Sequence, residues 1–411
     1  MKTINIIVIS PTTKGGSWLS TKQLLDRLND YLKNNKVKVN IIVITARSDQ
    51  KLEEKDLIHV ELKEVDLTKL QDSPLSMFIF SFKHMFMGPF AFIFSLLMRP
   101  RILIVNGIVP LFFFIPYSLF NKKPFIILEY HGFLKNISIP KLMMLFLRML
   151  LSKVVDIAIS NSEASRDDLS SLLPRGKIIV FEHPINNIYF TDISPEEARR
   201  QLNLEEDDFI ITYVGHLTFE KGIDIFARVV AEIARKKPSM RIKFLVVGDG
   251  KLSFLIRYLE RSTSILRYEG YISNPAQLAL YYAASDLVWS YADETYLARP
   301  AAEALAIGTP VIIPNVPAVL WKRLHGRRIS DNLLDKCAGF IVPADDVDNI
   351  VNLILDLSKN RDILKTMRTC ARRYALKKYN PLRLEILVHL IVKKYVINSA
   401  NEINKSSLVQ V

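Results

Sequence analysis

Cysteine is scarce in this sequence, which contains two among 411 residues, Cys337 and Cys370. Two cysteines are too few for a disulfide framework or a thiolate metal site, so they favour a reducing compartment. No cluster of His, Cys, Asp and Glu with ligand spacing is evident in the sequence, and we expect no metal cofactor.

A secretory signal is also lacking. Met1–Ser10 is a basic start followed by a strand-like apolar run that continues into Pro11 without a cleavage-site pattern. We therefore expect a cytoplasmic location, with peripheral attachment to the cytoplasmic face of a membrane as an open alternative.

Long uninterrupted apolar runs are few, and they lie between Leu75 and Phe120. Ile102–Phe120 carries no charge and approaches the length of a membrane span, about 20 residues. Asn106-Gly107, Pro110 and Pro116 interrupt it. Core elements are the favoured interpretation, while a face that dips into a membrane surface and a true span are the alternatives.

Acidic residues are outnumbered, 42 against 55 lysines and arginines, which gives a net charge of +13. Such an excess suits an anionic partner: a nucleic acid, an anionic membrane surface or a phosphorylated small molecule. Nucleic acid ranks low, because the densest basic group, Lys365–Lys378, contains Tyr374 as its sole aromatic residue. The fingerprint G-x-G-x-x-G is absent, since Gly248-Asp-Gly250 runs into Lys-Leu-Ser, which argues against a redox enzyme.

Predicted strands and helices alternate along the chain. Ile4–Ser10, Trp18–Asn34 and Val37–Thr45 read as strand, helix and strand, which predicts a parallel sheet. The alternation starts again at Phe209–Val214, after a connection with a helix-start signature at Ser194-Pro195-Glu196-Glu197. We predict an α/β protein with two Rossmann-like domains, residues 1–188 and 189–378, and a final helix at 379–397.

The stretch Asp286–Pro314 is the most informative. It reads as strand, loop, helix from Pro300, glycine stop at Gly308, and strand. In an open α/β sheet, ligands bind at the loop after a strand and at the start of the next helix. Glu303 lies near that start and is the natural acceptor for a vicinal diol.

Glu303-Ala-Leu-Ala-Ile-Gly-Thr-Pro-Val resembles the end of the donor-binding motif of the retaining GT-B glycosyltransferases of glycosyltransferase family 4 (glycosyl transferases group 1). In that family two glutamates bracket seven residues. Here Thr295 occupies the first of these positions, and the nearest acids, Glu294 and Asp293, fall one and two residues early. The second glutamate matches and the first does not.

The resemblance implies two Rossmann-like domains facing across a cleft, with the C-terminal helix crossing back to the N-terminal domain. It also implies transfer of a sugar from a nucleotide-diphosphate sugar with retention, without a metal and without a covalent enzyme intermediate. We expect electrostatic stabilisation of the leaving diphosphate, because no side chain presents itself as a covalent nucleophile.

Site roles follow from the same resemblance. The family holds the diphosphate with a glycine-arginine and a lysine-glycine; this chain has Gly215-His216 and Lys221-Gly222. Either Arg299 compensates for the missing cation, or His216 indicates a weaker or different donor. Donor-binding roles are thereby implied for Gly15, Gly16, Gly215, His216, Lys221, Gly248, Gly250, Tyr271, Arg299 and Glu303, and catalytic roles for His131, Lys221 and Glu294.

Other functions stay open. A sugar-nucleotide epimerase of the same fold and a non-catalytic nucleotide-sugar-binding scaffold are the alternatives, the latter because of His216 and the displaced first acid. The expected acceptor is a glycan or polyprenyl-linked glycan at an anionic membrane surface. This follows from the apolar first domain and from the basic amphipathic helix predicted at Ile139–Lys153. The alternative for this helix is that it packs on the core with its charges in solvent.

Overall fold

The structure is a computed structural model that describes most of the chain. It covers residues 3–10, 15–45, 57–61, 88–120, 122–130, 140–182, 184–239, 241–292, 296–316, 329, 333–344 and 346–408. The chain folds into two compact units: residues 1–183 with 382–411, and residues 184–381.

The first unit is built on a seven-stranded parallel sheet with the strand order β3-β2-β1-β4-β5-β6-β7. Its inner strands are runs of isoleucine and valine buried on both faces, as expected for a covered parallel sheet. The strands are β1 Thr3–Ser10, β2 Lys38–Thr45, β3 Leu57–Glu61, β4 Ile102–Asn106, β5 Phe125–Tyr130, β6 Ile157–Ser160 and β7 Ile178–Val180.

Helices cover both faces of this sheet. They are α1 Gly15–Asn34, α2 at residues 88–98, α3 Ile108–Leu111, α4 Lys141–Val154 and α5 Glu163–Leu169, with a 3-10 helix at Phe112–Leu119. The run Ile102–Phe120 thus forms strand β4, α3 and the 3-10 helix. Among the described residues, none of the helices combines the length and the apolar content needed to cross a membrane.

Two predicted bounds in this unit were wrong. Helix α1 begins at Gly15 rather than Trp18, so Gly15 and Gly16 lie in its first turn rather than in a loop. The final helix runs from Leu382 to Leu408, although the chain after Asn398 was expected to fray. Helix propagation, which adds one hydrogen bond per residue fixed, carries both segments beyond their apolar pattern.

The C-terminal helix belongs to the first unit, as predicted. Its buried face, which includes Leu384, Leu387, Val388 and Ile391, shares one apolar cluster with β1, β2 and α1. Apolar burial of about 25 cal/mol per Å² holds it there.

The second unit is built on a six-stranded parallel sheet with the order β10-β9-β8-β11-β12-β13. Its strands are β8 Phe209–Val214, β9 Ile242–Val247, β10 Leu266–Gly270, β11 Leu287–Trp289, β12 Val311–Pro314 and β13 Gly339–Val342. Its helices are α6 Pro195–Gln201, α7 Ile223–Lys236, α8 Ser253–Ser262, α9 Pro275–Ala284, α10 Arg299–Ile307, α11 Val347–Lys359 and α12 Arg361–Tyr379.

The two cysteines correct the sequence-based expectation. Cys337, just before β13, forms a disulfide with Cys370 on α12. The residues are 33 positions apart in sequence, and only the packing of α12 beside the sheet brings them together. Two cysteines are too few for a disulfide framework, but they form a single bridge, which their scarcity did not predict.

Candidate functional site

The carboxyl edge of the second sheet contains a topological switch point. The order β10-β9-β8-β11 means that the chain leaves β8 towards one side and β11 towards the other. Such a point opens a crevice between the two strand ends, and ligands of open α/β sheets bind there. The loop after β8 carries Lys221, and the helix that follows β11 carries Glu303.

The loop after β8 is held by a buried tyrosine. The Tyr213 hydroxyl donates to the carbonyl oxygens of His216, at 2.9 Å, and Lys221, at 3.3 Å. Gly222 then adopts φ +69°, a left-handed conformation that suits glycine, and α7 begins at the next residue. This anchoring fixes the backbone from which His216, exposed, and Lys221, half-buried, project.

The glycines of this edge allow two loops to touch. A Cβ atom at Gly248 would lie 1.9 Å from the carbonyl oxygen of Gly215, and one at Gly250 would lie 2.7 Å from that of Leu217. The Leu217 amide donates to the Asp249 carbonyl at 3.0 Å. Gly248 and Gly250 therefore serve first to let these loops pack together.

Glu303 lies in the second turn of α10 and is 7% exposed. The Tyr282 hydroxyl, from α9, donates to its Oε2 at 2.9 Å. Burial raises the pKa of the Glu303 carboxyl to about 7, against the opposing effects of the Arg299 charge and the Tyr282 hydrogen bond. The carboxyl group can thus change its charge near neutral pH.

Arg299, the first residue of α10, belongs to the same cluster. Burial lowers the pKa of its guanidinium, and the nearby Glu303, Tyr189 and Tyr282 oppose that shift. Tyr189 packs edge-on against Tyr282, with ring centroids 5.9 Å apart, and burial raises its pKa. A half-buried cation and a buried carboxyl group thus share an environment of tyrosines.

Tyr291 connects the two sides of the crevice. The Lys221 ammonium lies 4.5 Å from the centroid of the Tyr291 ring, a cation–π contact. On the other side, the Glu303 charge adds to burial in raising the pKa of Tyr291 to about 12. A Cβ atom at Gly215 would lie 3.0 Å from this ring, so a glycine is needed beside it.

The structure gathers most of the predicted donor-binding residues at one edge. Tyr271, 73% exposed, follows β10, whose Gly270 carbonyl accepts from the Gly248 amide at 2.8 Å. Gly215, His216, Lys221, Gly248, Gly250, Tyr271, Arg299 and Glu303 thus follow the ends of four adjacent strands, β10, β9, β8 and β11.

The other predicted site residues lie elsewhere. Gly15 and Gly16 open α1, after β1 in the first unit. His131 and Glu294 lie outside the described residues.

Sequence reasoning predicted Tyr271 but missed the other tyrosines of this site. Tyr291 lies two residues after β11, and its place after a strand in the motif stretch was a usable signal. Tyr189 and Tyr282 gave none, because they reach Glu303 from segments distant in sequence.

The first unit has its own switch point, between β1 and β4. Glu129, at the end of β5, is fully buried there, and the Thr21 hydroxyl of α1 donates to its Oε2. Asn106, at the end of β4, donates to the Thr21 hydroxyl at 2.8 Å. Burial raises the pKa of Glu129 to about 7, and the Thr21 hydrogen bond opposes this shift.

Comparison with known proteins finds a family match within the second unit. The family model described as glycosyl transferases group 1 matches residues 194–374. This range contains Lys221, Glu303 and the tyrosines Tyr213, Tyr282 and Tyr291.

Curated relatives match a part of the chain. A D-inositol 3-phosphate glycosyltransferase of Rhodococcus erythropolis is 35% identical over 130 residues, which are 29% of this chain and 29% of that protein. An alpha-monoglucosyldiacylglycerol synthase of Streptococcus pneumoniae is 28% identical over 202 residues, 45% of this chain and 41% of that one. The matched part therefore spans less than half of the length of these relatives.

A solved structure matches nearly the whole chain. Anabaena Alr3699/HepE, in complex with UDP and glucose, superposes with a TM-score of 0.64 at 16% identity, over 95% of this chain and 99% of that one. At this identity the likeness shows the fold, two Rossmann-like domains of the GT-B type. Residues 194–374 of the chain match the glycosyl transferases group 1 family.

Proposed function

We propose that this protein is a retaining glycosyltransferase that moves a sugar from a nucleotide-diphosphate donor to an acceptor. One observation carries the proposal: Lys221 and Glu303 flank the switch point of the second sheet. Tyr291 lies between them, because its ring contacts the Lys221 ammonium and the charge of Glu303 raises its pKa. A cation suits the diphosphate of a nucleoside diphosphate, and a carboxyl group suits its ribose hydroxyls.

In this proposal, the Lys221 ammonium binds the diphosphate of the donor. This ammonium projects from a loop that Tyr213 anchors, so it is positioned before the donor arrives. When the bond between sugar and diphosphate breaks, negative charge grows on the leaving oxygen, and a fixed cation stabilises that charge more than the ground state. His216, on the same loop, supplies a hydrogen-bond donor where the family has an arginine.

In this proposal, the Glu303 carboxyl group binds the ribose of the donor. Its ionised form accepts hydrogen bonds from both ribose hydroxyls, with the Tyr282 hydroxyl and the Arg299 charge favouring that form. Arg299 acts on the carboxyl group of Glu303 in this proposal, which is a different role from compensating at the diphosphate. The backbone at Gly248 and Tyr271 borders the base.

A uridine diphosphate hexose is the donor to test before others. HepE, which shares the fold, was solved with UDP and glucose. We propose that transfer needs no metal, because Lys221 takes the position of a cation at the diphosphate. Activity should therefore persist in EDTA; its loss, restored by Mg²⁺, would contradict this part.

The acceptor is a lipid-linked molecule in this proposal. The relative from Streptococcus pneumoniae is named for a glucosyldiacylglycerol product, and the apolar first unit suits a glycolipid or polyprenyl-linked glycan better than a free sugar. The protein then works at the cytoplasmic face of a membrane, attached to its surface.

A donor screen tests the function before the acceptor is known. UDP-, GDP- and ADP-sugars are added to the purified protein, and thermal unfolding is recorded; a ligand at about 100 times its Kd adds about 2.7 kcal/mol of stability. The selected donor is then incubated with membrane lipids, and the product's anomeric configuration is read by NMR. Interconversion of the donor without acceptor would instead identify an epimerase, and binding without turnover a scaffold.

A further inference from the structure

Large apolar side chains are exposed on three consecutive elements of the first unit. These are α2, the 3-10 helix at Phe112–Leu119, and α4. Leu97 on α2, Leu119 at the end of the 3-10 helix and Leu142 on α4 keep 75%, 83% and 81% of their surface exposed. Single exposed leucines are ordinary, but a group on neighbouring elements indicates an interaction site.

The three elements lie side by side on one face of the sheet. Their inner residues, among them Ala91, Phe114 and Leu151, belong to one buried cluster. The Phe92 ring of α2 packs edge-on against Phe114 and Tyr117 of the 3-10 helix, with ring centroids 6.0 and 5.3 Å apart, and α4 also contacts the 3-10 helix. Their outer side chains therefore form one continuous surface, called here the apolar face.

Helix α4 shows how this face is built. Leu151 and Val154 are buried, while Leu142, Leu145 and Phe146 point outwards with 81%, 64% and 56% of their surface exposed. A shallow groove of about 870 Å³ runs along these exposed residues. Both sides of the helix are thus apolar, which packing against its own unit does not explain.

The charge on the three elements and on the chain that joins them has mainly one sign. Residues 88–155 contain eight lysines and arginines and a single acidic residue, Glu129, which is fully buried. Each of the three elements ends where the chain turns into the next strand, so the exposed Arg99, Lys122 and Lys153 lie at the same edge of the sheet. Cations therefore border the apolar surface.

We propose that the apolar face docks on an anionic lipid bilayer. Leu145, Phe146 and Leu97 enter the boundary between headgroups and acyl chains, and the bordering lysines and arginines meet the negative headgroups. A second copy of this chain is a poorer occupant, because pairing two such faces would place like charges opposite each other. The surface includes α2 and the 3-10 helix, and is wider than the α4 helix that the sequence indicated.

Docking is separable from the transferase activity. It involves neither Lys221 nor Glu303 and is measured without a donor, so its failure leaves the proposed transfer reaction standing. Conversely, a protein that proves inactive as a transferase can still be tested for docking.

The test is co-sedimentation of the full chain with vesicles. Vesicles of phosphatidylcholine alone are compared with an equal mixture of phosphatidylcholine and phosphatidylglycerol, at low and high salt. We expect binding to the anionic vesicles at low salt, weakened at high salt. Leu145→Glu with Phe146→Glu should lower the partition coefficient at least about tenfold, whereas Phe254→Glu, which changes an equally exposed phenylalanine of the second unit, should leave it unchanged.

Two further variants keep the test decisive. Leu97→Glu changes a different helix of the face, so loss of binding does not depend on α4 staying folded, which circular dichroism checks. Lys122→Glu with Lys153→Glu should abolish the preference for anionic lipid. The proposal is overturned if the wild type ignores anionic vesicles at low salt, if the apolar variants bind as the wild type does, or if they instead dissolve a dimer seen without vesicles.

Discussion

Each unit has a buried glutamate near the switch point of its parallel sheet: Glu303 on helix α10 and Glu129 at the end of strand β5. Both carboxyl groups accept a hydrogen bond from a hydroxyl group on a helix: Glu303 from Tyr282, and Glu129 from Thr21. Burial raises both pKa values to about 7. The surroundings differ: a guanidinium acts on Glu303, while the opposing effect at Glu129 comes from a neutral hydroxyl group.

This difference fits the proposed function, in which Glu303 binds the donor and Glu129 has a structural role. Glu303 keeps some exposure and stands in a helix that starts at the crevice, so a ligand can exchange places with its present partners. Glu129 is sealed, and its Oε1 has no hydrogen-bond partner in the described part of the chain. It fastens α1, through Thr21, to the ends of β4 and β5. Under the proposed function, a buried glutamate near a switch point therefore binds the donor in one unit and holds the fold together in the other.

The largest effect is expected from Lys221→Ala on the chemical side. Removing the cation should lower kcat/KM for sugar transfer by about 10²–10³, since a fixed charge at the leaving group contributes about 3–4 kcal/mol to the transition state. Steady-state kinetics with the selected donor measure it. Lys236→Ala, at the far end of α7, is the control, and a Lys221→Ala enzyme of undiminished activity would refute the assignment.

On the structural side, Glu129→Gln should alter stability and its dependence on pH. The folded-state pKa of about 7 exceeds the ordinary value of 4.5, so the contribution of this carboxyl group to stability is full below pH 4.5 and is lost as the pH rises through 7. Glutamine stays neutral. Between pH 5.5 and 8 the variant should gain about 2 kcal/mol relative to the wild type.

Urea unfolding at several pH values measures this gain. Glu385→Gln, which changes an exposed glutamate of the same unit, should follow the wild type. A Glu129→Gln curve parallel to that of the wild type would show that Glu129 is not a buried acid with a raised pKa.

Glu303 should make donor binding stronger as the pH rises, whereas Glu129 makes the fold less stable as the pH rises. Ribose hydroxyls are accepted best by the ionised carboxylate, so a group with a pKa of about 7 must lose its proton as the nucleotide binds. The Kd for UDP should therefore fall about tenfold from pH 6 to pH 8. Calorimetric titration in buffers of different ionisation enthalpy measures both the affinity and the released proton, and Glu303→Gln should remove the pH dependence.

Local patterns predicted much of the fold. The apolar runs of β1, β4, β8 and β11 gave the strands, and Gly308, with φ +99°, ends α10 as its position after Ile307 suggested. Lys221 and Glu303 could be proposed as donor-binding residues because each lies in a loop or helix start that follows a strand.

Long-range partners did not follow from the sequence. Thr21 and Glu129 are 108 residues apart, and Tyr282 and Glu303 are 21 apart on different helices. Nothing in the local pattern of α1 or α9 distinguishes a hydroxyl group that will meet a carboxylate from one that will face water. The Cys337–Cys370 bridge could not be predicted for the same reason, since its two residues are 33 positions apart in sequence.

Two matched hydroxyl deletions give the smallest and sharpest comparison. Tyr282→Phe removes the donor to Glu303 Oε2, so the carboxylate is held less firmly and the Kd for UDP should rise about threefold, the effect of one hydrogen bond. Thr21→Val removes the corresponding donor to Glu129 and should lower the unfolding free energy by about 1 kcal/mol without changing that Kd. Calorimetry and urea unfolding of both variants decide the matter. If Thr21→Val weakens UDP binding as much as Tyr282→Phe does, the two glutamates do not divide binding and rigidity between them.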